Sequence, residues 1–161
     1  MFYKVYLAGQ MAPDPRTHIW RDAFSDAMKH IHNVGILDPS TNEAFPKGVE
    51  GKEAIAAARA SSYGKIIMPK DRAMVKEANI IVANLNHYDH DKLIAGTLFE
   101  LAWAYDDSDT TVIVVGTPLM AGPLLNHPFV TSTADIIVDT VEDAIHLVQW
   151  ISGALGKIEL K

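Results

Sequence analysis

The sequence contains no cysteine among its 161 residues, which excludes disulfides, thiolate zinc sites and a cysteine nucleophile. It is also short of positive charge, since 14 lysines and arginines stand against 20 aspartates and glutamates. A chain with net charge −6 and no basic block is a poor candidate for binding nucleic acid or anionic membranes. No apolar run approaches the ~20 residues that span a bilayer. The opening MFYKVYLAG lacks the apolar core of a signal peptide, so we expect a cytoplasmic protein.

Several nucleotide and hydrolase motifs are missing as well. The chain has no G-x-G-x-x-G and no G-x-x-x-x-G-K-[ST], so neither a dinucleotide site nor a P-loop is indicated. It has no G-x-S-x-G nucleophile elbow. We expect no cofactor and no metal, and a small molecule rather than a nucleic acid or a membrane as the partner.

Apolar, β-prone runs alternate with helical patterns along the whole chain, which predicts one domain over residues 1–161. We expect strands at 3–9, 34–40, 80–85, 111–116 and 135–140. We expect helices at 17–32, 52–62 and 70–79, from Gly96 onward, and at 141–155. In the first helix the expected apolar face comprises Ile19, Trp20, Phe24, Ala27, Met28 and Ile31, with Arg21 among the polar residues between them. Residues 117–129, rich in proline and glycine, are expected to be a loop.

This alternation predicts an α/β sandwich, Rossmann-like or flavodoxin-like, with a five-stranded, mostly parallel sheet in the order 2-1-3-4-5. In such sheets ligands bind beyond the carboxyl ends of the strands, where the strand order reverses. The rule selects the loops at residues 8–11, 84–96 and 116–126. The helix that leaves the second loop carries Glu100, the one charged residue between Leu93 and Tyr105.

Glu100 has two explanations. Thr97-x-x-Glu100 matches a capping box, in which each side chain bonds the backbone amide of the other residue. A capping glutamate normally faces water, however, and this one stands among apolar neighbours at the ligand-binding edge. A carboxylate near a helix N-terminus, shielded from water, is a credible nucleophile.

Other candidates also have ordinary explanations. Asp71 would be a first-turn acid at a helix start, Asn84 a strand-end turn residue, and Tyr6 a core residue of the first strand. The loop NHYDHD at 86–91 offers His87, His90, Asp89 and Asp91 as metal ligands, but this spacing is common in solvated turns and no third histidine or glutamate is fixed nearby.

Four segments together resemble the nucleoside 2-deoxyribosyltransferase family and its relatives, the nucleoside 5′-monophosphate N-glycosidases. They are VYLAGQ (5–10), KDRAMVKEANIIVANL (70–85), GTLFELAWAY (96–105) and the loop ending in Asn126 followed by ADIIV. The resemblance runs in the right order over nearly the whole chain, except for residues 41–64.

The resemblance implies specific roles for the matching residues. Glu100 would attack the sugar C1′ and form a covalent glycosyl-enzyme, Asp71 would be the general acid and base at the nucleobase, and Tyr6 would orient Glu100. The implied substrate-binding residues are Gly9, Gln10, Asn84, Asp91, Gly96 and Asn126. Asn126 would reach the sugar from a neighbouring subunit, which implies a homo-oligomer, and the apolar residues Leu119, Met120, Leu124, Leu125 and Phe129 agree with an interface there.

This sequence departs from the family at two places. The acidic residue that lies six positions before the nucleophile is replaced here by Ile94, and Asp91 is the nearest acid. The first loop, GQMAPDPR, lacks the Ser/Gly set that cradles a phosphate, which favours a nucleoside over a nucleotide. The expected activity is therefore deoxyribosyl transfer between nucleoside and nucleobase. The alternatives are hydrolysis of nucleosides or their 5′-monophosphates, and a non-catalytic nucleotide-binding sensor on the same fold.

Overall fold

The computed structural model describes residues 1–12, 14–40, 64–107 and 109–154. Five strands form one sheet in the order β2-β1-β3-β4-β5, and every neighbouring pair is parallel. This confirms the predicted fold class and strand order. The strands are β1 (Tyr3–Gly9), β2 (Val34–Leu37), β3 (Ile80–Asn84), β4 (Thr111–Val115) and β5 (Ile136–Val138).

Helices cover both faces of the sheet. They are α1 (Arg16–Met28), α2 (Gly64–Glu77), α3 (Ala95–Tyr105), α4 (Pro118–Ala121), a 3₁₀ helix (Gly122–Asn126), α5 (Pro128–Thr133) and α6 (Val141–Ile151). Within the described ranges, none of these helices combines the length and apolarity needed to cross a membrane.

The three central strands β1, β3 and β4 are buried on both faces over most of their length, because their side chains alternate between two cores. Tyr6 and Ala83 belong to the core that packs against α2 and α3. Val5 and Val82 belong to the core that packs against α1 and α6. The carboxyl ends of β1, β3 and β4 meet at one edge, so the loops that follow them lie together there, as the ligand-site rule requires.

Several boundaries were wrong in the sequence prediction. The first helix ends at Met28 rather than at residue 32, and the second strand ends at Leu37 rather than at residue 40. The segment 117–129 is helical rather than a loop, because Pro118 and Pro128 occupy first helical positions, where a proline costs no hydrogen bond. The helix expected at 70–79 begins already at Gly64 and contains Pro69. Asp71 therefore lies in the middle of α2 and is not a first-turn acid. The helix expected at 52–62 lies outside the described residues.

The buried face of α1 also differs from the expected one. Ile19 is 59% exposed, whereas Arg21 is 1% exposed and lies with Trp20 and Phe24 on the buried side. Arg21 can be buried because its guanidinium has partners: it lies 3.6 Å from the Asp38 carboxylate and bonds backbone carbonyls at the end of β1.

Candidate active site

A buried hydrogen bond joins β1 to α3 at the centre of the candidate site. The Tyr6 hydroxyl donates to Oε1 of Glu100 over 2.7 Å. Tyr6 is fully buried and Glu100 is only 7% exposed. Because Tyr6 lies in a central strand, this bond holds the Glu100 carboxylate in one position.

The capping-box explanation of Glu100 is wrong. The residue before the first turn of α3 is Ile94, and no side chain caps that end of the helix. Thr97 lies inside the helix and is buried. The Glu100 carboxylate is directed to Tyr6 rather than back to the amide of Thr97, so local helix capping does not account for it.

Asp71 faces the same space from α2. A pocket of about 270 Å³ lies between α2 and α3 and is lined by Ile67, Met68, Asp71, Gly96, Phe99, Glu100 and Trp103. The Nζ of Lys70 lies 3.3 Å from Oδ1 of Asp71 but without hydrogen-bond geometry. This buried oxygen pairs electrostatically with Lys70 and has no hydrogen-bond partner among the residues that the structure describes.

The surroundings of Glu100 favour its protonated form. Burial raises the pKa of Glu100 to about 7, and the charge of Asp71 raises it as well. The hydrogen bond from Tyr6 and the positive charges of Arg21 and Lys70 lower it. Near neutral pH the Glu100 carboxyl therefore exchanges readily between its acidic and basic forms.

The pKa values of Asp71 and Tyr6, the two neighbours of Glu100, are raised as well. Burial raises the pKa of the Asp71 carboxyl, and Lys70 opposes that rise. Burial and the charge of Glu100 raise the pKa of the Tyr6 hydroxyl, which therefore stays a hydrogen-bond donor. Two carboxyl groups with raised pKa values in one pocket are typical of an acid–base or nucleophilic site.

Gly9 and Gln10, expected in the base or sugar pocket, have structural roles at the end of β1. A Cβ on Gly9 would lie 2.9 Å from the Trp20 ring and 3.2 Å from the carbonyl oxygen of Asn84, so only glycine fits. The Gln10 side chain bonds the backbone of Tyr88, Asp89 and Lys92. Neither residue lines the pocket at Glu100.

Asn84 lies at the same edge but on the opposite face of the sheet from Glu100. Side-chain alternation places it with Val82 rather than with Ala83. Its amide donates to the Tyr88 hydroxyl and accepts from the Asn86 backbone N–H. Asn84 thus shapes the loop after β3.

The remaining expected residues divide between the pocket and the surface. Gly96 lines the pocket, and a Cβ there would meet nothing within 4 Å, so its backbone is open to a ligand. Asp91 is exposed on the loop after β3, and Asn126 is exposed at the end of the 3₁₀ helix. Neither is among the residues that line the pocket. The structure therefore brings together Tyr6, Asp71, Gly96 and Glu100.

The histidines of the loop after β3 contact each other and a backbone carbonyl group rather than a common metal position. The rings of His87 and His90 lie 5.0 Å apart, and Nε2 of His87 lies 2.5 Å from the carbonyl oxygen of Lys92. In the described part of the chain, no group of three or more histidines and carboxylates converges on a metal position.

Sequence reasoning missed the apolar wall of the pocket and the buried cation near it. Trp103 is three residues after Glu100, and Met68 is three residues before Asp71. Residues three apart on a helix lie on one face, so this spacing could have identified both. Arg21 gave no such signal, because its charge indicated an exposed position.

Neither protein-family models nor curated proteins match this chain. Solved structures of other proteins share its fold. A conserved protein from Enterococcus faecalis V583 is 17% identical, with a TM-score of 0.54, over 94% of this chain and 99% of that one. A 2-deoxyribosyltransferase from the psychrotolerant bacterium Bacillus psychrosaccharolyticus is 17% identical, with a TM-score of 0.59, over 88% of this chain and 90% of that one. The chain therefore has the fold of a 2-deoxyribosyltransferase over most of its length.

Proposed function

We propose that this protein is a nucleoside deoxyribosyltransferase, which cleaves the N-glycosidic bond of a 2′-deoxynucleoside and passes the sugar to another nucleobase. The observation that carries the proposal is the pairing of two carboxyl groups in one pocket, with the buried Glu100 held by Tyr6 and the partly buried Asp71 facing it from α2. The fold shared with the Bacillus psychrosaccharolyticus 2-deoxyribosyltransferase supports it.

The chemistry needs one carboxylate and one carboxylic acid. In the first step a Glu100 oxygen bonds to C1′, the bond from C1′ to the base nitrogen breaks, and Asp71 gives its proton to the departing base. In the second step a new base attacks C1′, the ester to Glu100 breaks, and Asp71 takes up a proton. Two inversions at C1′ give net retention of configuration.

Tyr6 fits a positioning role in this scheme. Its hydroxyl donates a hydrogen bond of 2.7 Å to Oε1 of Glu100, which leaves the second carboxylate oxygen to attack C1′. A hydrogen bond to the ionised form also favours that form, and it lowers the pKa of Glu100 against the effect of burial.

We further propose that the active protein is a homo-oligomer in which Asn126 acts in a neighbouring copy's site. Asn126 is exposed and stands beside an apolar cavity of about 570 Å³ between α3 and α5. Leu119 and Phe129 are 89% and 80% exposed near it, whereas Leu125 is buried in the chain's own core and does not belong to such a surface. A stable, fully active 17.7 kDa monomer in sedimentation would overturn the oligomer proposal.

Incubation with deoxyinosine, with and without adenine, tests the proposed reaction. New deoxyadenosine in the presence of adenine indicates transfer. Release of hypoxanthine without adenine indicates hydrolysis, the alternative in which water attacks the glycosyl-enzyme. No change in either mixture would overturn both and favour a binding domain.

A trapping experiment tests the covalent step separately. A 2′-fluoro-2′-deoxynucleoside should leave a slowly cleared sugar on Glu100, because fluorine disfavours the positively charged transition state of the second step. Intact mass and peptide mapping locate the adduct. An adduct on any other residue would contradict the assignment of the nucleophile.

A further inference from the structure

Hydrogen bonds connect a buried cation on α1 to the end of β1. The guanidinium of Arg21 donates from Nη2 to the carbonyl oxygen of Gly9 over 3.0 Å and from Nη1 to that of Gln10 over 3.3 Å. Nη1 also donates to the carbonyl oxygen of Thr17. Arg21 therefore fixes the backbone where β1 passes into its loop.

Gln10 continues these connections into the next loop. Its Oε1 accepts from the backbone N–H groups of Tyr88 and Asp89, both at 2.9 Å. Its Nε2 donates to the carbonyl oxygens of Asp89 over 2.7 Å and Lys92 over 3.1 Å. Two bonds are donated and two accepted, which is the full capacity of a glutamine amide, so this buried side chain is a clamp on the loop rather than a ligand contact.

The clamped loop leads directly into the helix that carries the candidate nucleophile. Residues 86–93 run to Ile94, which precedes the first turn of α3, and Gly96 in that turn lines the pocket with Glu100. A shift of this loop would move the pocket wall and admit water to the carboxylate. Arg16 adds a second attachment, since its Nη2 donates to the Tyr88 carbonyl oxygen over 2.9 Å.

We propose that Arg21 and Gln10 are a pair of positioning residues for the site at Glu100. Arg21 fixes the backbone of Gln10, and the Gln10 side chain fixes the loop that sets the start of α3. The inference rests on the proposed function for its kinetic consequence, but the positioning itself can be measured without turnover.

The test uses Gln10→Ala, Arg21→Lys and the double variant, with Asn33→Ala as the control. Arg21→Lys keeps the charge beside Asp38 but loses the forked geometry. Asn33 is a matched amide, since its Nδ2 donates to the Ser152 carbonyl oxygen over 2.9 Å, far from the pocket. The readouts are the exchange rates of the Tyr88 and Asp89 amides and the titration of the Glu100 carboxyl, both by NMR, and kcat/KM.

Gln10→Ala should speed exchange of these two amides by about tenfold or more, because both lose their acceptor. The Glu100 pKa should fall from about 7 toward its ordinary value, because water enters; Tyr6, Asp71, Lys70 and Arg21 remain around it. We expect kcat/KM to fall about tenfold or more with the loss of alignment.

Arg21→Lys should change all three readouts in the same direction. The double variant should be no worse than the poorer single variant, since the two residues act in series. Asn33→Ala should change none.

Unchanged exchange in folded Gln10→Ala would overturn the proposal, as would faster exchange with an unaltered Glu100 titration. Fully additive effects in the double variant would overturn the serial arrangement. If Arg21→Lys does not fold, Gln10→Ala decides alone, because it removes no charge. A wild-type protein that cleaves no nucleoside would overturn the proposed function, and the exchange and titration measurements would still decide the positioning.

Discussion

The hydroxyl of Tyr6 lies 2.7 Å from Oε1 of Glu100, which joins two residues that are 94 positions apart in the chain. The bond ties the most buried part of the sheet to the one carboxylate of α3. The behaviour of that carboxylate should therefore depend on the sheet as much as on its own helix.

Replacing Glu100 by Gln should abolish turnover and stabilise the fold at alkaline pH. The native pKa of about 7 lies above the ordinary value of 4.5, so between these values the native state holds a proton that the unfolded chain has lost. The contribution of Glu100 to the stability of the wild type therefore falls as pH rises from about 4.5 to about 7. The neutral amide avoids this loss, which is on the order of 3 kcal/mol at pH 8 and absent at pH 4. Urea unfolding of the wild type and the variant at both pH values measures the difference in their free energies of unfolding. The same difference at pH 4 and at pH 8 would contradict the buried-charge explanation.

Asp71→Asn should slow cleavage most for nucleosides whose base leaves poorly. Loss of a general acid typically costs ~10²–10⁴-fold in rate, whereas a substrate with an activated leaving group needs no proton. Initial rates on one substrate of each kind give the comparison. Asp22→Asn, an exposed carboxylate on α1, is the control. Similar losses on both substrates would argue against the acid role.

Tyr6→Phe should move the acidic limb of the kcat/KM profile to higher pH. The lost hydrogen bond is one of the interactions that lower the pKa of Glu100, so the carboxylate form becomes scarcer at a given pH. The pH profile of the variant is compared with that of Tyr105→Phe, which alters an exposed hydroxyl on α3. A limb that stays in place, or moves to lower pH, would exclude Tyr6 as the residue that holds Glu100.

Trp103→Leu should raise KM more than it lowers kcat. Trp103 and Phe99 form an aromatic wall with ring centroids 6.0 Å apart in the pocket of Glu100. Stacking of a base on an aromatic ring is worth ~1–3 kcal/mol, so a rise of about 5- to 150-fold is expected. Steady-state kinetics on one nucleoside measure it, with Trp150→Leu on α6 as the control. An unchanged KM would place the base elsewhere.

The local sequence pattern was sufficient to predict the sheet and to identify Glu100 as the candidate nucleophile. β3 is apolar on both faces, which is typical of a central parallel strand, and Glu100 is the one charge in an apolar helix. The bond to Tyr6 is a long-range contact with no local signature. Arg21 was misplaced because a charged residue is usually exposed, and here its partners come from two strand ends that only the fold brings together.

The boundaries that failed have a common physical origin. Pro118 and Pro128 were interpreted as residues that exclude a helix, although proline is also common in the first turn of a helix. Pro69 lies inside α2, where packing of the helix against the sheet outweighs the lost backbone bond. Such outcomes depend on tertiary contacts, which periodicity alone does not contain.

The two faces of the sheet offer different freedom for change. The chemistry-bearing side chains Tyr6, Asp71 and Glu100 all lie on the side of α2 and α3, whereas Ala144 and Val148 of α6 pack on the other. Trp20 and Phe24, the neighbours of Arg21 on α1, share one core with α6, so repacking that core would disturb the attachment of Arg21 to β1. A protein engineer would therefore leave this core intact and randomise the wall at Met68, Phe99 and Trp103, where changes do not reach it.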